Sequence, residues 1–332
     1  MRPILLKGHT RSLTKIRYNR DGDLLFTVSK DSTPSVWFSH NGERLGTYNG
    51  HNGTVWDLDI SVDSRRLLTG SADQTCKMWD VYTGKCLFTW NTRTAVRAVS
   101  FAEGDKQALF VTDAVMGQPS TIHIVPIEDN VADQTEEPVN KIIITGSKAT
   151  VAVWCSLNEY ILTGHEDGSI SLWDPATGNR LKRVENHKAT IQDIQFSKDK
   201  TFFITASRDH SCQIYDTATL KVLKQFVTER PCNAAAISPI RPHIILGGGQ
   251  DAMTVTQTNV KEGKFEVRFY HQVFEEEIGR VKGHFGPINT LAFHPDGKSF
   301  ASGGEDGYVR LHHFDDDYFT FKFEEESLEN YA

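Results

Sequence analysis

The chain has 332 residues, 39% hydrophobic and 24% charged, with 36 Lys+Arg against 43 Asp+Glu and a formal net charge of -7. That balance excludes a disordered or fibrous chain and argues against a phosphate-tracking surface over the whole protein, so no strong direct nucleic-acid binding is expected. No apolar run approaches the ~18 residues of a membrane span, and the start MRPILLKGH is too short in apolar length for a signal peptide.

From the N-terminus onward, short apolar or alternating runs are separated by turn residues. LLFTVSKDSTPSVWF (24–38) is followed by LLTGSADQTCKMWD (67–80), ILTGHEDGSISLWD (161–174), FITASRDHSCQIYD (203–216) and FASGGEDGYVRLHHF (300–314). Each starts apolar, passes a Thr or Ser and then an Asp, and ends on an aromatic residue or His. A spacing of 42 residues separates Asp31 from Asp73, Asp167 from Asp209 and Asp209 from Asp251. Ahead of four of these aspartates, His9, His51, His187 and His284 stand 22 residues upstream of Asp31, Asp73, Asp209 and Asp306. The longer intervals place a degenerate unit near Thr112-Asp113, with an insertion at about 115–140, and a second insertion in the sixth unit.

Two markers at fixed spacing over most of the chain are the signature of the WD-repeat β-propeller, with four strands per blade. The fold expected is an all-β, seven-bladed WD40 propeller of four antiparallel strands per blade. The units run approximately 8–48, 50–90, 91–140, 144–183, 186–226, 229–275 and 283–323, in a single domain over 1–332 with an acidic tail at 324–332. Inner strands inserted between neighbours should be apolar on both faces. Residues 2–6 and FTFKF (319–323) both have the spacing of the last blade's outermost strand; residues 2–6 are assigned to it, with the tail beside them.

A buried His, hydroxyl, Asp and Trp are costly unless their polar atoms meet each other. The expected blade networks are therefore His9, Thr27, Asp31 and Trp37; His51, Thr69, Asp73 and Trp79; Thr163, Asp167 and Trp173; His187, Thr205, Asp209 and Tyr215; and His284, Ser302 and Asp306. In each the hydroxyl should lie between the indole N–H and the imidazole, and the Asp should orient the ring or the turn. Unit four has Thr145 at the His position, unit six has Glu229 and Gly247, and unit seven has His312 for Trp. A hydrolase triad built from the same residue types is the rival assignment. Against it, the constellation recurs from blade to blade and no serine has a G-x-S-x-G setting. The G-H histidines belong to different blades and cannot share a metal, and His312-His313 point to opposite faces of a strand. Gly247-Gly248-Gly249-Gln250 lacks the Gly-Lys-Ser/Thr of a phosphate loop. No cofactor, metal or catalytic residue is expected. The five cysteines form no C-x-x-C pair and are expected as buried, reduced thiols of a cytosolic protein.

Beyond the generic pattern, GDLLFTVSKD (22–31), NGERLGTY (41–48), GGGQDAM (247–253), GKFEVRFYH (263–271) and FEEEIGRVKGHFGPINTLAFHPDGKSFASGGEDGYVRLHHF (274–314) resemble the i-subunit family of eukaryotic translation initiation factor 3. The resemblance covers essentially the whole chain. It implies a non-catalytic, cytoplasmic scaffold that binds subunits b and g and reaches the small ribosomal subunit through the complex. There it would support preinitiation-complex assembly, mRNA recruitment and scanning. It further implies that a C-terminal helical segment of subunit b docks on the propeller. Within a blade of strands a–b–c–d, the a–b and c–d loops share one face. Asp199 in an a–b loop and Asp216 at the end of strand c should then lie together on blade five and offer two carboxylates to a basic helix. Asp216 also holds the turn-capping position of Asp80 and Asp174, which leaves capping as the alternative. A WD-repeat adaptor in receptor or kinase signalling is the other function class. Its G-protein β-like form would carry an N-terminal coiled-coil helix, whereas here the first repeat starts by residue 8. A propeller enzyme, lacking any unique acid, base or nucleophile cluster, ranks last.

Overall fold

The computed structural model describes residues 3–115, 117–249 and 265–322. Within them the chain forms seven four-stranded antiparallel sheets, six of them built from four strands consecutive in sequence. The innermost strand of each sheet packs against that of the next, and the innermost strand of blade seven (Ile288–Phe293) packs against that of blade one (Leu13–Tyr18), closing a ring. The molecule is a seven-bladed β-propeller. Blade seven takes its outermost strand from the start of the chain: Ile4–Leu6 pairs antiparallel with Val309–His313, Ile4 opposite Leu311 and Leu6 opposite Val309. This pairing covers an edge that would otherwise stay open.

The strand limits depart from the repeat spacing in two blades. The outer strand of blade three is Asn140–Ile143 and that of blade six is Glu277–Lys282, past residues 140 and 275, because each blade carries its extra residues ahead of the outer strand. In blade six the second strand ends at Gly248 and the third begins at Glu266. The marker Asp251, the rest of that insertion and the acidic tail 324–332 lie outside the described residues. Residues 319–323 supply no outer strand: a short helix, Asp316–Thr320, occupies part of that stretch.

The expectation of inner strands apolar on both faces fits the second strand of each blade better than the first. Leu24–Ser29 and Ile161–His165 are buried at every position, whereas Val55–Ile60 and Ile191–Phe196 bury only half of their residues. The first strand lines the central channel and turns polar side chains into it; the second is covered by neighbouring blades on both faces. Within the channel, Lys15 of blade one donates to Asp193 of blade five at 2.5 Å, and Arg17 donates to Asp59 at 2.8 Å. Of the five cysteines, four are buried, as expected, and Cys86 is exposed on an outer strand, whose outward face carries no blade.

The turn between strands b and c needs one left-handed residue directly after the marker Asp. Ser32, Gln74, Gly168, His210 and Gly307 fill it with φ of 68°, 66°, 85°, 69° and 76°. At Gly168 a Cβ would also lie 2.5 Å from the His187 carbonyl oxygen. Gly168→Ala is therefore expected to destabilise the protein by about 2 kcal/mol in chemical denaturation. Gly46→Ala, where a Cβ would meet nothing within 4 Å, should stay within about 0.5 kcal/mol of the parent.

Candidate functional site

Strands b and c and the loop entering each blade bring the marker residues together. In blade two, Trp79 Nε1–H donates to Thr69 Oγ1 at 2.8 Å, the Thr69 hydroxyl lies 2.7 Å from His51 Nε2, and His51 Nδ1 lies 2.8 Å from Asp73 Oδ2. The hydroxyl accepts from the indole and spends its one proton on His51 Nε2. The ring therefore carries its proton on Nδ1 and donates it to the carboxylate. Asp73 also accepts from the Asn52 and Thr75 main-chain amides, fixing the loop and the turn. Blade one repeats the set, with Trp37 on Thr27 at 2.9 Å, Thr27 with His9 at 2.7 Å and His9 with Asp31 at 2.8 Å. Thr69 and Trp79 are fully buried and His51 nearly so.

Three blades vary the theme. In blade five His187 reaches Thr205 at 2.7 Å and Asp209 at 2.9 Å, but Tyr215 does not join them. Its phenol O–H, at the far tip of a longer ring, donates to Gln213 Oε1 at 2.6 Å. In blade four Trp173 donates to Thr163 at 2.8 Å, and the missing loop histidine is replaced by His165, whose Nε2 lies 2.9 Å from the same hydroxyl. Asp167 stays apart from that ring and is bound by Ser169 and Arg183. In blade seven Arg310 enters: its guanidinium donates to His284 Nδ1 at 2.6 Å and to Asp306 at 2.9 Å. His284 must then hold its proton on Nε2 and give it to Ser302 Oγ, 2.8 Å away. Its Nδ1 is left 3.3 Å from Asp306 as a poor contact. His312 stacks on Phe300 at 4.5 Å, and burial pushes its pKa down to about 3. His165 was findable as the residue two beyond Thr163, on the same strand face. Arg310 and Gln213 carry no marker spacing.

Burial opposes ionisation of Asp31, Asp73, Asp209 and Asp306. Hydrogen bonds outweigh it and hold all four well below the ordinary carboxylate range, from the histidines and turns for Asp31, Asp73 and Asp209, and from Arg310 and the Phe285 and Tyr308 amides for Asp306. A carboxylate with a depressed folded pKa contributes stability that is complete above its unfolded value, about 3.9, and is lost as pH falls below that. Denaturant-unfolding free energy should therefore fall on acidification below about pH 4, and Asp73→Asn should flatten that fall. An unchanged slope in the variant would contradict the assignment.

On the opposite face of blade five, the a–b and c–d loops are tied together, Thr217 N–H donating to Thr201 O at 3.0 Å and Thr217 Oγ1 to Lys200 O at 2.9 Å. Asp199 and Asp216 lie on these two loops. Asp199 accepts from Ser197 and Thr201, Asp216 from the amide and hydroxyl of Thr219, and these bonds lower both pKa values. Asp216 thus does cap its turn, as Asp80 caps Thr83 and Asp174 caps Thr177. Of the nearby cations, Lys200 pairs with Glu103 at 2.6 Å, and Lys182 donates to the Thr219 carbonyl.

A closed ring of seven blades in which indole, hydroxyl, imidazole and carboxylate are linked in series is a WD-repeat β-propeller. The family model described as EIF3I matches residues 1–324. The chain is 52% identical over 327 residues to "Eukaryotic translation initiation factor 3 subunit I" of Bombyx mori, covering 98% of this chain and 99% of that protein. It is 54% identical over 324 residues to the protein of the same name from Taeniopygia guttata, covering 98% and 100%. To that of Aspergillus terreus it is 54% identical over 330 residues, covering 98% of each. The chain belongs to the family of eukaryotic translation initiation factor 3 subunit I, a family of translation initiation factor subunits.

Proposed function

We propose that the protein is a non-catalytic, cytoplasmic scaffold subunit of initiation factor 3. It binds the b and g subunits and, through the complex, the small ribosomal subunit, in support of preinitiation-complex assembly, mRNA recruitment and scanning. The observation that carries this is where the reactive-looking groups go. His9, His51 and His187, with their hydroxyl and aspartate partners, are consumed in buried bonds repeated from blade to blade. What remains for function is a set of loops on a rigid ring. The blade networks are fasteners, and partner affinity resides at the loop faces. Asp199 and Asp216 form the surface proposed for the helical segment of subunit b: Asp216 accepts its turn bonds through Oδ1, and Asp199 is an exposed residue whose two oxygens accept, among the described residues, only from its own turn. Affinity purification from a mild extract tests this. The expected result is stoichiometric b and g subunits and co-sedimentation with 40S particles. Stoichiometric receptor or kinase partners, with no ribosomal co-sedimentation, would overturn it.

A further inference from the structure

In the outer strand of each blade, one position faces the c–d turn of the blade that follows. Strand register identifies it as Gly46 opposite Val36, Lys182 opposite Leu172, Lys224 opposite Ile214 and Gly279 opposite Phe269. Lys182 and Lys224 close the gap by donating to the main-chain carbonyls of Thr219 and Val273. The two glycines cannot.

In blade six the chain's own C-terminal segment covers Phe269, the residue opposite Gly279. Phe314 and Tyr318 pack on Phe269 with ring centroids 6.0 Å and 6.4 Å away, and Arg241 donates to the carbonyls of Tyr318 and Phe321 at 2.5 Å each. The segment is acidic, with Asp315, Asp316 and Asp317, and the turn that receives it is basic.

Blade one has no such cover among the described residues. A Cβ on Gly46, like one on Gly279, would meet no atom within 4 Å, but here a cleft of about 500 Å³ opens between blades one and two, with Val36 lining it. Leu45 and Tyr82 border it with 48% and 77% of their surface exposed, an apolar border without a cover among the described residues. Its charge is the reverse of blade six. Gly22 stands at the turn position of Arg241, between Asp21 and Asp23, and Asp63 of blade two, 4.0 Å from Arg65, adds a third carboxylate. Neither Lys nor Arg lines the cleft among the described residues. An acidic segment such as this chain's own tail is repelled there, so the tail of a second copy is not the occupant.

We propose that the cleft between blades one and two is a docking site for a short basic segment of a partner protein, anchored by an aromatic side chain against Val36, opposite Gly46. The site repeats, with reversed charge, the seat that blade six gives its own tail. It is separate from the blade-five surface and stands or falls apart from it.

The probe is a labelled peptide of residues 312–321 carrying Asp315→Lys, Asp316→Lys and Asp317→Lys, titrated into the full chain by fluorescence anisotropy. The lysine peptide is expected to bind at least about tenfold more tightly than the unaltered one. Gly46→Lys, which supplies the side chain that blades four and five use to close the gap, and Tyr82→Ala should each weaken it about tenfold or more without lowering Tm. Asp199→Lys with Asp216→Lys should leave it unchanged. Equal binding of the two peptides, absence of binding, or full binding by the Gly46→Lys protein would overturn the proposal. In the assembled factor, a benzophenone amino acid at position 82 should crosslink to a Lys/Arg-flanked aromatic stretch of another subunit. A crosslink to a second copy of this chain, or to nothing, would also overturn it.

Discussion

Asp199→Lys combined with Asp216→Lys is expected to weaken binding of the helical segment of subunit b by about 100-fold while leaving Tm within a degree or two. The two loops are held together by main-chain and Thr217 bonds that do not involve the carboxylates, so the surface keeps its shape when the charges change. Reversal replaces two attractions for a basic helix with two repulsions, which is why the effect should exceed that of removing either charge alone. Capping and docking can be told apart by a control. Asp80 and Asp174 cap their turns as Asp216 does, so Asp80→Lys and Asp174→Lys remove equivalent caps from blades two and four. They should leave the affinity for subunit b intact. Titration calorimetry with the isolated segment reads both, and equal loss in all the variants would mean that the blade-five carboxylates are caps alone.

Thr69→Val is expected to have the largest effect on stability. The valine keeps the shape of the side chain but removes the one atom that joins Trp79 to His51. The indole N–H and His51 Nε2 would both be left buried without a partner. Each orphaned group costs about 1–3 kcal/mol, so a loss of roughly 3 kcal/mol and a fall in Tm of about 5–10 °C should follow. Thr205→Val in blade five should cost less. Tyr215 already bonds Gln213, so only His187 Nε2 is orphaned there. Thermal melts that rank the two variants the other way would show that the indole bond contributes nothing.

The ring was legible because its fasteners are spaced by geometry. An imidazole entering a blade must meet a carboxylate two strands further along the chain, and that distance recurs wherever the network recurs, as for His9 with Asp31 and His51 with Asp73. The same logic failed where chemistry was substituted rather than repeated. His165 reaches the Thr163 hydroxyl from its own strand, and Arg310 binds His284 and Asp306 from strand c. His165 has only its place two residues beyond Thr163 to betray it, and Arg310 has no marker spacing at all. The ends of the chain were ambiguous for a physical reason: an outer strand is half exposed, so FTFKF and RPILL satisfy the same loose pattern. Only packing separates them, with Tyr318 captured by blade six and Ile4 to Leu6 paired to blade seven. The cleft at Gly46 could not be read from the sequence at all, because it is defined by the turn of the next blade. The pairing of Asp199 with Asp216 on one face was readable from loop order, since a–b and c–d loops share a side in any four-stranded blade.

Buried networks hold the ring, and the loop faces are proposed to hold partners. Tm and affinity for subunit b, measured together on Thr69→Val and on the Asp199→Lys, Asp216→Lys pair, test that division most directly. Thr69→Val should melt lower yet bind subunit b normally at 20 °C or below, about the range where the fold remains intact, and the aspartate pair should melt normally yet fail to bind. A network variant that loses binding while fully folded, or an aspartate pair that binds as the parent does, would contradict it.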